Sequence, residues 1–311
     1  MSMKIHRPKS FSAQAGFSLL ELVIAVAIMT IVLTAIFKGV NVVVQRSQAE
    51  QTKIDLVQEG RDFVDEFERD LHQAGYPNCR MVATALSPGV NCPADQVTAP
   101  PNFYVAKNHF VAAGLVSVSN TQVVFEGAVD GGGTVFSVAY QLVDSAGNYP
   151  PSGTCPCRIQ RSQVAKDPTD STLPTNQTKA FSRELENVVN SGVPGNDAGG
   201  NPLPYGNGLN IAGNTAWGQS DTAYYAAISS FKDYPVFQAY DQFGNLVPLP
   251  QDLTTTQGAA KLNCGPASID CIKTIRITVN LLSNQVTGVD LQTKIRPVVT
   301  LVGDARLVNN Y

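Results

Sequence analysis

Residues 16–37 read GFSLLELVIAVAIMTIVLTAIF, and from Phe17 to Phe37 the only charge is Glu21. At 1.5 Å per residue, a helix of that length reaches roughly 30 Å, the thickness of a bilayer's hydrocarbon core. Residues 1–16, which precede it, carry Lys4, Arg7 and Lys9 and no acid. A basic leader of this kind keeps the N-terminus in the cytoplasm and sends the downstream chain outward. A secretory signal peptide has a shorter apolar region ending at a small-residue cleavage site. Here the run is longer, and Lys38, Asn41 and Gln45 come after it with no such site between. A plain membrane anchor explains the length but not the acid. A carboxylate in a membrane segment costs about 2.5–3.5 kcal/mol near the centre and less toward the end, which makes it a functional candidate.

The rest of the composition fits one membrane segment joined to a large polar body. The chain has 311 residues, 43% hydrophobic and only 15% charged, with a net charge of −3. Typical soluble domains are roughly a quarter charged. Removing the three leader cations from 22 leaves 19 basic against 25 acidic residues, a net of −6. The outward part is therefore mildly acidic, with no run of Lys and Arg interleaved with aromatics and no strong nucleic-acid signal.

Gly16-Phe17-Ser18-Leu19-Leu20-Glu21, after a short basic leader and before an apolar helix, resembles the type IV prepilin processing signal. The resemblance implies cleavage between Gly16 and Phe17 by a prepilin peptidase, and methylation of the new Phe17 amine. It also implies an assembly role for Glu21, the fifth residue of the mature chain. Each position has a physical reason beside the resemblance. Gly16 has no side chain to exclude it from a peptidase cleft. Glu21 lies four residues from Phe17, one helical turn away on the same face. Its charge can pair with an N-terminal amine in a low-dielectric setting; in the family that amine belongs to a neighbouring subunit, although its own is also within geometric reach.

The helix continues past the membrane segment. Val57, Gly60, Val64, Phe67, Leu71 and Ala74 recur at heptad-like spacing, with Ile54 upstream, and predict a stripe buried under the chain's own head. Asp55, Glu59, Asp62, Asp65, Glu66, Glu68 and Asp70 surround it against Arg61 and Arg69. Two readings fit these acids: a solvated face, which the pattern favours, or a surface contacting a neighbouring subunit. Gly75-Tyr76-Pro77 ends the helix.

From Tyr76 onward the sequence is β-rich. Val135–Leu142 alternates, with Phe136, Val138, Tyr140 and Leu142 on one face and Ser137, Ala139 and Gln141 on the other. Thr121–Val129 precedes it across Asp130-Gly131-Gly132-Gly133, predicting a hairpin. Ile275, Ile277, Val279 and Leu281 mark a half-buried strand, and Val298–Val302 another. Phe181–Val189 is predicted as a short helix with Ser182 as its N-cap. YQLVDSAGNYP at 140–150 echoes FQAYDQFGNLVP at 237–248; similar turns, a duplicated unit or a calcium loop all fit, the last without its terminal glutamate. A Gly/Asn/Pro-rich insertion at about 190–235 predicts a long exposed loop. Within it Trp217, Tyr224 and Tyr225 form either a contact tip or an anchor to the core.

LENVVNS, the aromatic strand ending in YDQFGN, IKTIRITVNLL and VVTLVGDARLVN are similar in order to the head of PilW-type minor pilins, as is EFERDLHQAGY at the helix end. The insertion departs from that pattern. The expected fold class is α+β: a long pilin-like N-terminal helix packed on a β-rich globular head with long loops. The expected domains are a cleaved leader (1–16), the helix (17–75, with 17–37 transmembrane) and the head (76–311).

Six cysteines suit an oxidising compartment. Cys79 with Cys92, and Cys264 with Cys271, flank proline- and glycine-containing turns and are expected to form local disulfides. Cys155-Pro156-Cys157 is left open: a strained local bridge, or one cysteine reaching elsewhere. His6, His72 and His109 lack metal-ligand spacing. No GxSxG, HExxH or phosphate-cradling glycine loop occurs. No enzyme activity, metal or cofactor is expected.

The resemblance implies a minor pilin of a type IV pilus, stored in the inner membrane with a periplasmic head and extracellular once assembled. Its implied partners are prepilin peptidase, other minor pilins and the major pilin, the inner-membrane assembly platform and, before assembly, membrane lipid. The alternatives are a minor pseudopilin of a type II secretion system and a membrane-anchored adhesin or binding module.

Overall fold

The computed structural model describes residues 18–78, 81, 110–144, 146–151, 157–166, 180–190, 234–252, 272–283 and 298–308. One α-helix, α1 (Leu19–His72), is followed by ten strands: β1 (Gly114–Val118), β2 (Gln122–Gly127), β3 (Phe136–Val143), β4 (Cys157–Ala165), β5 (Phe181–Val188), β6 (Phe237–Asp241), β7 (Leu246–Val247), β8 (Gln251–Asp252), β9 (Ile272–Leu282) and β10 (Val298–Arg306). The fold is α+β and pilin-like, a long apolar N-terminal helix with a curled antiparallel sheet as its head. Leu19–His72 is long and apolar enough to cross a membrane. With 54 residues it runs about 80 Å.

All strand pairs are antiparallel, in the order β7-β6-β9-β5-β4-β3-β2-β1-β8 with β10 beside β9. β9 organises this sheet. One of its edges pairs with β10 from Thr274 to Leu282, while its other edge is shared by β6, over Ile272–Ile277, and by β5 at Leu281. Its length exceeds the alternating stretch from Ile275 to Leu281 because it spans both neighbours.

Helix and sheet share one core. Val64, Phe67, Leu71 and Ala74 of the expected stripe are buried, joined by Leu56 and Phe63, whereas Ile54 is exposed. Phe67 meets Tyr140 of β3 edge-on at 5.2 Å and stacks on Phe237 of β6 at 5.5 Å, so one helical side chain bridges both halves of the sheet. Gly60 belongs to the stripe because Leu301 fills the space a Cβ would need and Leu281 Cδ1 lies 2.9 Å from it.

Gly127 is stricter, since a Cβ there meets the Gln73 backbone: the carbonyl oxygen blocks it and the carbonyl carbon is 2.9 Å away. Gly127 and Ala74 form a bridge that docks the helix end onto β2. Gly127→Ala is expected to cost about 1–3 kcal/mol, because backbone cannot yield as a side chain can. Gly132→Ala, which meets only the Asp130 side chain at 3.2 Å, is expected to stay within about 0.5 kcal/mol. Urea unfolding measures both, and equal midpoints would refute the docking argument.

Two expectations are corrected. Phe181–Val188 is a strand, not a helix, and Ser182 Oγ donates to the Arg161 carbonyl at 3.1 Å across the sheet rather than capping a helix. The i, i+3 burial of Leu185 and Val188 imitates a helix. It arises from irregular register with β4 on either side of Ile159 and from Asn187 at φ 62° between them. β9, expected to be half-buried, has Thr278 and Asn280 covered along with Ile277, Val279 and Leu281; in β3, too, Ser137, Ala139 and Gln141 are covered, with Val116, Val124 and Ala139 forming a small second cluster against Phe181. The hairpin across residues 130–133 and the two late strands are present.

The turns at 144–148 and 241–245 share one hydrogen-bond pattern. In each, Asp Oδ1 accepts from the backbone N–H groups two and four residues on, and Oδ2 accepts from the Asn amide. The acid's acceptors serve the turn itself, so turn chemistry accounts for the echo.

Candidate functional site

The N-terminal part of α1 is built as a membrane helix that also presents one acid. Ser18 immediately precedes it, and its carbonyl accepts from Glu21 N at 3.0 Å and Leu22 N at 3.2 Å. Ser-x-x-Glu at this position has capping-box spacing, a helix-start signal that sequence reasoning passed over. Glu21, in the first turn, is where a negative charge complements the helix dipole. From Leu19 to Val44 the large apolar side chains are exposed. Thr30 and Thr34 return their hydroxyls to the carbonyls of Val26 and Thr30 at 2.8 and 2.7 Å. Their polar groups are thereby satisfied within the helix, as lipid requires. Gly16 and Phe17 lie outside the described residues.

At the other end, polar locks hold α1 to the head. Asp70, one of the acids expected on a solvated face, is buried. Arg161 Nη2 and Nε of β4 donate to its Oδ2 at 2.7 and 2.9 Å, and the Tyr140 hydroxyl donates to the same atom at 2.8 Å. The guanidinium also donates to Gln163 at 2.8 Å and lies 3.6 Å from Glu66. Burial, and then the Asp70 charge, push the Tyr140 hydroxyl well above its usual range, so it stays a donor. Burial works against the Arg161 charge, but Tyr140 and Asp70 outweigh it. Burial raises Glu66 against the pull of Arg161.

A second lock lies beside the helix exit. Lys166 Nζ and Glu126 Oε2 are 2.7 Å apart, with both side chains almost wholly buried. Lys166 also donates to the Val111 carbonyl at 2.9 Å, and Glu126 Oε2 accepts from Ala113 N at 2.9 Å. The Glu126 backbone carbonyl accepts from Gly75 N at 2.8 Å, so the pair knits the helix end, β2 and the approach to β1 together. Burial pushes the Glu126 carboxyl up and Lys166 opposes it. Sequence reasoning missed both locks. For the second lock the only signal was one charge in each of two short segments, VVFEG and QVAK.

Cys157 is buried and disulfide-bonded. Cys79, Cys92, Cys155, Cys264 and Cys271 lie outside the described residues, as do Trp217, Tyr224, Tyr225 and residues 191–233 of the insertion. Its first residue, Asn190, is not an exposed loop residue: it is buried, donates to Thr278 O at 2.6 Å and accepts from Asn280 N at 3.0 Å. No group of three metal-ligating side chains comes together among the described residues.

Residues 11–37 match the family model described as the prokaryotic N-terminal methylation motif. No curated protein matches the chain, and no solved structure does. The match spans residues 11–18 and the first turns of α1, giving the chain a type IV prepilin-like N-terminus. The motif supports a pilin- or pseudopilin-like structural role and processing by prepilin peptidase.

Proposed function

We propose that this type IV prepilin-like chain is a minor pilin, cleaved between Gly16 and Phe17, methylated at the Phe17 amine and assembled at or near the tip of a pilus. The observation that carries the reading is continuity: the methylation motif runs directly into a 54-residue helix whose distal turns are locked to the head. Before assembly, lipid covers the apolar helix; on assembly, helices of other pilins replace it. Glu21 then pairs with a neighbour's Phe17 amine, which relieves its burial cost and sets register. A bulky head suits a rare subunit better than a repeated one, because bulk clashes along a closely packed shaft.

A pseudopilin of a type II secretion system shares the same motif and is the second reading. Affinity-purified partners separate the two: pilus subunits and platform proteins favour the first, secretion components the second. An adhesin merely anchored by this helix would show no cleavage. Mass spectrometry of the mature chain is expected to begin at methylated Phe17, and Gly16→Leu to accumulate unprocessed in the membrane. Normal maturation of that variant would refute the reading. Non-reducing peptide mapping of the same sample is expected to link Cys79 to Cys92 and Cys264 to Cys271, and it identifies the partner of Cys157.

A further inference from the structure

The strands at the borders of the sheet are of unequal length. β7 and β8 have two residues each, whereas β10 has nine and pairs, among the described residues, only with β9. That pairing runs from Val298 to Arg306 without a bulge. Folded proteins keep edge strands short, bulged, charged or covered, because a row of unpaired N–H and C=O groups takes up further strands. β7 and β8 follow that rule by being short. β10 does not: residues 298–303 read VVTLVG with no charge, and Val302 is 55% exposed.

Parity sets which groups point outward. Leu307 N donates to Lys273 O at 2.8 Å, so the odd-numbered residues of β10 direct their amides and carbonyls to β9. The even-numbered residues turn theirs to the open side, and Asp304 shows it: its N–H meets Glu68 Oε1 of α1 at 3.0 Å. Glu68 thereby closes one end of the edge, where Arg276 also holds the Asp304 carboxylate through bonds of 2.7 and 2.8 Å. Thr300 and Val302 have no such cap. Among the described residues, nothing bonds to their outward N–H and C=O groups.

The chemistry of the open side specifies an extended polypeptide. Paired donors and acceptors at every second residue are the complement of another strand's backbone. Side chains narrow the choice further. On α1, Ile54, Val57, Arg61, Val64 and Glu68 recur at spacings of three and four and form one stripe. Val64 and Glu68 fill the space a Cβ on Gly303 would need, and Leu301 fills that of Gly60. Helix and strand therefore advance in the same direction here, which brings Val57 and Ile54 toward the level of Thr300 and Val298. Ile54 is 56% exposed and Val57 half-buried. A strand added to β10 continues the curl of the sheet around the helix and sets every second side chain against these two, so those side chains are apolar.

We propose that the outer edge of β10, from Val298 to Val302, receives an extended strand of a partner polypeptide with apolar side chains at alternate positions. The probe is a peptide copying β9 from Thr274 to Leu282, whose Ile275, Ile277, Val279 and Leu281 alternate in this way and which already fits the inner edge. Its fluorescein-labelled form is titrated with the full chain in detergent micelles, with empty micelles as the blank. Saturable binding is expected, and about tenfold weaker binding of a peptide N-methylated at its central residues in succession, which keeps the side chains but not the N–H donors. Val302→Pro is expected to weaken binding about tenfold with melting unchanged, because that N–H faces away from β9. The N-methylated peptide tests the same bonds on the unaltered chain, so the answer does not depend on the stability of the variant. Absent saturable binding, or equal affinity for the two peptides or for wild type and Val302→Pro, would overturn the proposal. So would a dimer of the free chain that Val302→Pro dissolves, which would give the edge to a second copy.

Discussion

Lys166→Met is expected to destabilise the head by about 3–5 kcal/mol, because it leaves Glu126 buried without its counter-charge. The Val111 carbonyl loses its donor as well. Lys166→Met combined with Glu126→Gln should recover more than half of the loss, since the amide oxygen still accepts from Ala113 N and no bare charge remains. The deficit also carries a pH signature. Burial already places the Glu126 carboxyl above its ordinary value, and losing Lys166 raises it further. Between the unfolded and folded pKa values the native state then binds more protons than the unfolded one, so stability falls as pH rises through that window. The single variant is expected to be less impaired at pH 5 than at pH 8, and the double variant to lack that difference. Urea unfolding of the full chain in micelles at the two pH values measures both. A loss below about 1 kcal/mol, or a pH-independent one, would show that the pair is not the lock described.

Glu21→Val is expected to be processed and retained in membranes but to enter filaments at least tenfold less than wild type. Removing one member of a desolvated charge pair costs about 2–5 kcal/mol, which exceeds a factor of ten. For a mere anchor the substitution points the other way, removing a membrane cost of order 1–3 kcal/mol and sparing function. Glu21→Asp should fall between, with its charge kept and its reach shortened by one methylene. Glu21 also sits in the first helical turn, where its charge favours the dipole. Loss of that favour alone is worth about 0.3–1 kcal/mol and would lower membrane and filament levels together. The ratio of subunit in sheared filaments to subunit in membranes separates the two roles. An unchanged ratio for Glu21→Val would sink the docking role.

Much of the architecture is legible in local pattern. Residues 17–37 have one charge and enough length to span a bilayer, and that inference needs no neighbour. The stripe at Val64, Phe67 and Leu71, the glycine hairpin at 130–133 and the alternating strand of β9 are likewise periodicities that a helix or strand imposes on its own residues. These determined the fold class, and the motif at Gly16–Glu21 determined the functional class.

The features that stayed hidden depend on which strand lies beside which. Leu185 and Val188 read as helical until irregular pairing with β4, and Asn187 at φ 62°, set both inward from a strand. Asp70 reads as one acid among seven; only Tyr140 of β3 and Arg161 of β4, both bonded to it, show that it is taken out of water. Glu126 and Lys166 are forty residues apart, and Glu68 reaches the Asp304 amide across 236. Periodicity determines which way a residue faces within its own element. Strand order and register determine what it meets there, and those are set by the free energy of the whole sheet closing on one helix, which no local window contains.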